Sequence, residues 1–181
     1  MEAKESKKED GNISQNEHYD KIKTDDMIPK RRLLLIDSSF LMLPVSSGKR
    51  RGQINIEDAL HRISEGRILA VLTTTVEELK ILKEKSKGKK RLAADFALSF
   101  IENAGIKIVE VDQNIAKELK SQALVKKRWE LYDEILAIMA KKLNATVATT
   151  DIELMHKLRE LGVSVFYLRG KKWIYISGAP A

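Results

Sequence analysis

The chain has 181 residues, enough for one domain, and its Lys and Arg outnumber Asp and Glu 33 to 26, a formal charge of +7. With no cysteine, disulfides, zinc ribbons, iron–sulfur clusters and thiol nucleophiles are excluded, and His18, His61 and His156 are too scattered for a zinc site. The apolar run from Leu33 to Val45 is interrupted by Asp37, Ser38 and Ser39 and falls short of the roughly 20 residues of a membrane span. The first residues lack the apolar stretch of a signal peptide. A cytoplasmic protein, away from membranes, is expected.

Residues 1–30 hold eight acids against six lysines, net −2, with few apolar residues and no periodicity. Such a segment buries too little surface to offset its ordering entropy, so a disordered charged tail is expected. Met27, just before the first apolar strand, is an alternative translation start to Met1. Residues 31–181 then carry 27 bases and 18 acids, net +9, so the expected domain is more basic than the whole.

RRLLLID (31–37) is continuously apolar up to its acid, the pattern of a parallel strand covered on both faces. SGKRRG (47–52) reads as a basic loop. Residues 54–66 set Ile56, Leu60 and Ile63 at helical spacing and end in a glycine suited to a helix C-terminus. RILAVL (67–72) is the next strand, and Thr73 to Thr75 are candidate caps for a helix through Val76, Leu79 and Leu82. KEKSKGKKR (83–91) reads as a basic connector into a helix from Leu92 to Asn103.

IKIVEV (106–111) is a strand, and Asp112 caps a helix reaching about Val125. LYDEILAIMAKKLN is strongly helical and ATVATT a short strand. Asp151 starts a helix that ends at Gly162; VSVFYLRG and KKWIYIS follow as a strand and an edge strand. This alternation predicts an α/β fold, a three-layer α/β/α sandwich around a mainly parallel sheet.

In open α/β sheets, chemistry gathers at the carboxyl ends of strands, where Asp37 and Asp151 both fall. Taken singly, an Asp at such a place is more often a helix N-cap. Glu78 lies in the first turns after a strand, where a solvated helix face is the plainer reading. Asp133 shares a helix face with Ala137 and Ala140, small residues that draw an acid inward against a neighbour. Acids gathered inside repel one another, and a divalent cation is the simplest compensation.

IDSSF (36–40), VEEL (76–79), YDEILAIMA (132–140) and TTD (149–151), in this order, resemble the motifs of the PIN-domain nucleases over about residues 32–170. The resemblance implies metal-dependent hydrolysis of RNA, with Asp37, Glu78, Asp133 and Asp151 as catalytic acids and metal ligands. Ser39 and Thr149 would orient them, and Glu153 would either contribute through a water or lie on the surface. Ser38 stands where many family members have Thr. Mg²⁺ or Mn²⁺, one ion or two, is the implied cofactor, since hard cations take carboxylate oxygens.

The end of the chain looks most like archaeal members of the rRNA-processing branch, so RNA processing or ribosome maturation is the first expectation. A toxin of a toxin–antitoxin pair is the alternative, and a catalytically inactive RNA-binding scaffold a further one. Members that carry a zinc ribbon match less well. The implied partners are RNA (rRNA, tRNA or mRNA), an antitoxin or ribosome-assembly protein, and a second copy of the chain.

A cluster of acids repels a polyanion, so bases must hold the RNA. Lys49, Arg50 and Arg51, then Lys89, Lys90 and Arg91, and finally Arg169 and Lys171 are the candidates, with Lys126, Lys127 and Arg128 a further run. Trp129 and Trp173 lie near basic runs and are candidates for stacking on bases.

Overall fold

The computed structural model describes residues 21–22, 33–46, 55–64, 66–112, 114–115, 117, 128–169 and 172–178. A seven-stranded sheet runs in the order β1-β4-β3-β2-β5-β6-β7. Its strands are β1 (Lys21–Ile22), β2 (Leu33–Ile36), β3 (Ile68–Leu72), β4 (Lys107–Val109), β5 (Thr146–Thr149), β6 (Val165–Arg169) and β7 (Lys172–Ile176). Every pair is parallel except β6 with β7.

The helices are α1 (Ser38–Leu41), α2 (Leu43–Ser46), α3 (Ile56–Ser64), α4 (Thr73–Lys85), α5 (Gly88–Asn103), α6 (Arg128–Lys142) and α7 (Ile152–Glu160). They cover both faces, as the continuous apolar strands require. Leu33 and Leu35 of β2 pack with α6 and α7, whereas Leu34 and Ile36 pack with α1, α3, α4 and α5. Successive strand residues thus feed two separate cores, and the expected three-layer sandwich is observed. Among the described residues no helix is long and apolar enough to cross a membrane.

Three expectations give way. Residues 1–30 were expected to stay outside the fold, yet Lys21–Ile22 pair in parallel with β4. Two residues extend a ladder whose cost is carried by the strands beside it, so low apolar content does not exclude them. Thr73, Thr74 and Thr75 are not caps: α4 begins at Thr73, directly after Leu72, and no side chain caps it. Thr74 and Thr75 are buried, and Thr73 Oγ1 accepts from the Val111 N–H at 3.3 Å.

The basic connector is the third. Helix-forming Lys and Glu carry α4 through Lys85, and α5 already starts at Gly88, so only Ser86 and Lys87 connect them. Lys83 pairs with Asp95 at 2.6 Å across the two helices.

Asp112 accepts from the Asn114 N–H at 2.9 Å and pairs with Lys142 of α6. Asn114, Ile115 and Lys117 of its expected helix are helical; the remainder to about Val125 lies outside the described residues, as do residues 47–52, Met27, and Lys126 and Lys127. Gly162 ends α7 in the left-handed region, φ +75°, as expected. The chain after β7 returns against it. Gly178 N–H donates to Ser164 Oγ at 2.9 Å, and a Cβ at 178 would overlap the Gly162 carbonyl. Gly178→Ala therefore lowers stability by about 2 kcal/mol, read as a lower midpoint in urea unfolding. An unchanged midpoint would contradict this contact.

Candidate active site

The strand order reverses at β2: the chain builds β3 and β4 on one side, then β5, β6 and β7 on the other. The carboxyl ends of β2 and β5 therefore flank a switch point, where the sheet leaves a crevice. Ile36 pairs with Ala148, and the Asp37 N–H donates to the Ala148 carbonyl at 2.9 Å. That register sets Asp37 beside Thr149.

Asp37 is only 6% exposed and is the N-cap of α1, accepting from the Ser39 N–H at 3.3 Å. Its Oδ2 accepts from Thr149 Oγ1 at 2.8 Å and from Ser39 Oγ. The two hydroxyls lie 3.2 Å apart. Thr149 Oγ1 accepts from the Asp151 N–H at 3.0 Å, and Ser39 Oγ from the Thr150 N–H at 3.1 Å. Both hydroxyls thus receive a backbone donor and pass their own hydrogen toward Asp37, which fixes its rotamer. Burial nevertheless pushes the Asp37 carboxyl above its ordinary value, against these hydrogen bonds.

Glu78 projects from α4, half-buried, while its neighbour Glu77 is exposed. Burial raises it to about 7, helped by the charges of Asp37 and Asp133 and opposed by a hydrogen bond from the Ser38 side chain and the charge of Lys90. Asp133 comes from α6 on the face of Ala137 and Ala140, both fully buried. Burial raises it to about 6; the charges of Asp37, Asp151 and Glu153 add to this, and Lys157 opposes it. Asp151 is exposed and caps α7, its Oδ1 accepting from the Glu153 and Leu154 N–H groups at 2.8 and 3.1 Å.

Four carboxylates from β2, α4, α6 and α7 therefore converge on one crevice, close enough to act on one another. Asp37 and Asp151 are helix caps and members of the cluster at once. Among the described residues no three His, Asp or Glu side chains stand as a ready-formed ligand group. Asp37 Oδ2 is taken up by the Thr149 and Ser39 hydroxyls. The donor set itself fits a hard divalent cation: all oxygen, strongly acidic, and partly withdrawn from water.

Residues 34–171 match the family model described as a PIN like domain. The chain belongs to this family. Its curated relatives include Ribonuclease VapC4 of Methanocaldococcus jannaschii, 33% identical over 144 residues, covering 78% of this chain and 94% of the relative. Two solved structures share the fold at a TM-score of 0.50. One is VapBC2 from Rickettsia felis bound to a DNA fragment from its promoter, 15% identical over 76% of this chain and 99% of that one. The other is FitAB bound to the IR36 DNA fragment, 20% identical over 74% and 94%.

Within this PIN-like frame, Lys89, Lys90 and Arg91 occupy the exposed first turn of α5, not a loop. Lys90 reaches the field of Glu78. Lys49, Arg50, Arg51 and Lys171 lie outside the described residues, as do the side chains of Arg169, Arg128, Trp129 and Trp173. Two participants escaped the sequence reading. Ser38, noted only as a departure from Thr, donates to Glu78. Lys157 was passed over, yet it stands four residues after Glu153 on α7 and its charge acts on Asp133. The i,i+4 acid–base spacing was its one visible signal.

Proposed function

We propose that the chain is a divalent-metal-dependent endoribonuclease, Asp37, Glu78, Asp133 and Asp151 being its catalytic and metal-holding acids. The observation that carries this reading is the convergence of these four acids at the switch point. The 33% identity to Ribonuclease VapC4 supports RNA as the substrate. It also favours a toxin-type role over rRNA processing, the reverse of the order expected from the motifs, since short motifs are common to both branches.

Mg²⁺ or Mn²⁺, when bound, lowers the pKa of an attacking water and offsets charge building on the scissile phosphate. The protein's own groups prepare this. Thr149 and Ser39 hold Asp37 in one rotamer. Glu78 and Asp133, raised to about 7 and about 6, hold protons below those pH values that a cation displaces. Lys90 and Lys157, from opposite helices, offset the cluster's negative charge for an approaching RNA backbone. Lys89 and Arg91, in the same exposed turn as Lys90, extend that basic surface, and Lys90→Ala with Lys157→Ala raises KM about tenfold and flattens its salt dependence. A salt slope equal to that of wild type would exclude these two lysines from the RNA path.

The toxin reading implies an antitoxin partner, and a second copy of the chain is compatible with it. The test is expression in a host: growth arrests, and a small protein encoded beside the gene relieves it. If growth continues while deletion of the gene leaves rRNA precursors unprocessed, the rRNA-processing role with a ribosome-assembly partner replaces it. An inactive scaffold would neither arrest growth nor cleave RNA; the retention of all four acids counts against it.

A further inference from the structure

A groove lies beside the acid cluster and takes no part in the chemistry described above. One wall is a single face of α7: Ile152, Met155, His156 and Arg159, spaced at i, i+3, i+4 and i+7. The other is Tyr167 of β6 with Ile174 and Ile176 of β7, which point to the same side of the antiparallel hairpin. The volume is about 470 Å³, within the range of small-ligand sites. Among the described residues β7 is the edge strand, and α7 packs chiefly against β5 and β6. Ile152 is left 59% exposed at the edge of the groove.

Two features identify the occupant. First, the groove starts one residue from the acid cluster: Ile152 directly follows Asp151, and Arg159 lies seven residues beyond Ile152, about 10 Å along the helix. Second, its polar groups His156 and Arg159 sit toward the far end, where they also line an adjoining pocket with Ser177 and one acid, Glu160. An aromatic and aliphatic middle with a guanidinium beyond it is suited to a base followed by a phosphate.

Resting on the ribonuclease reading, we propose that this groove binds an unpaired nucleotide of the RNA flanking the scissile bond. The base lies between Ile152 and Ile174 against the Tyr167 ring, and Arg159 takes the next phosphate. Single-stranded character on one side of the cut is thereby a requirement for tight binding. Lys157, on the same helix, faces the acids while Arg159 faces the groove, so α7 spans both the cut and its flank.

The test uses the full chain carrying Asp37→Asn, so that RNA persists, and anisotropy of a labelled single-stranded RNA of about 12 nucleotides. One abasic residue is moved along the RNA. One or two adjacent abasic positions weaken binding about tenfold, and Tyr167→Ala or Ile152→Ser removes that positional effect. Arg159→Glu weakens every RNA at least tenfold; Arg159 and Ile152 are exposed, so these two variants keep the fold. Abasic residues equally tolerated everywhere, or variants that bind as tightly as the parent, overturn the groove and leave the ribonuclease reading standing. Unchanged RNA affinity in the variants is also what a protein occupant would produce. A parent that binds no RNA at all overturns both.

Discussion

Asp37→Asn reduces RNA cleavage at least about 1,000-fold and leaves the fold as stable as before, or more so. The two effects have one origin. Asn keeps an oxygen for Thr149 Oγ1 and Ser39 Oγ, so the local hydrogen bonds survive. It removes a charge whose burial already raises the carboxyl pKa, and a neutral group there relieves Glu78 and Asp133 as well. What it cannot do is supply a carboxylate to a divalent cation, and losing a central electrostatic group costs about three orders of magnitude or more in rate. Kinetics and thermal melts on one preparation check both halves. A variant that loses activity because it melts several degrees lower would mean that Asp37 is structural only.

Without divalent ions, the protein loses stability as the pH rises from about 4.5 to about 7.5. Glu78 is raised in the folded state to about 7 from 4.5, and Asp133 to about 6 from 3.8. In that window the folded state binds more protons than the unfolded one, so unfolding free energy falls with pH. Below the unfolded values both states are protonated and the full stability is present; above the folded values it is gone. For Glu78 alone the loss is on the order of 3 kcal/mol, and the more exposed Asp133 adds less. Mg²⁺ or Mn²⁺ at a hundredfold excess over its Kd returns about 2.7 kcal/mol at pH 8 and little at pH 4.5, where the ligands are protonated. Thermal melts at the two pH values, with and without Mn²⁺, measure this. A cation effect that is equal at both would place its binding elsewhere.

The two-sided core and the mainly parallel sheet were legible because β2 is apolar without alternation and strands alternate with helices along the chain. Asp133 was legible through Ala137 and Ala140, which are fully buried. The boundary of α5 was not: Lys89, Lys90 and Arg91 oppose the helix dipole, so local signals favour a loop there, and packing of α5 against α4 prevails. β1 was hidden because two residues carry no period. Ser38 and Lys157 act only through neighbours distant in sequence, and a motif does not record such partners. The groove was invisible for a related reason. KKWIYIS reads as an edge strand, but which helix face stands opposite it is set by tertiary packing.

The central claim, that the four acids at the β2–β5 switch point hydrolyse RNA with the help of a divalent ion, is tested most directly by product ends. Wild-type protein is incubated with labelled RNA in Mn²⁺ and in EDTA, and the termini are analysed. Attack of water with departure of the 3′ oxygen predicts 5′-phosphate and 3′-hydroxyl fragments in Mn²⁺, and intact RNA in EDTA. Intact RNA in both, or fragments with 2′,3′-cyclic phosphate ends that persist in EDTA, would contradict it.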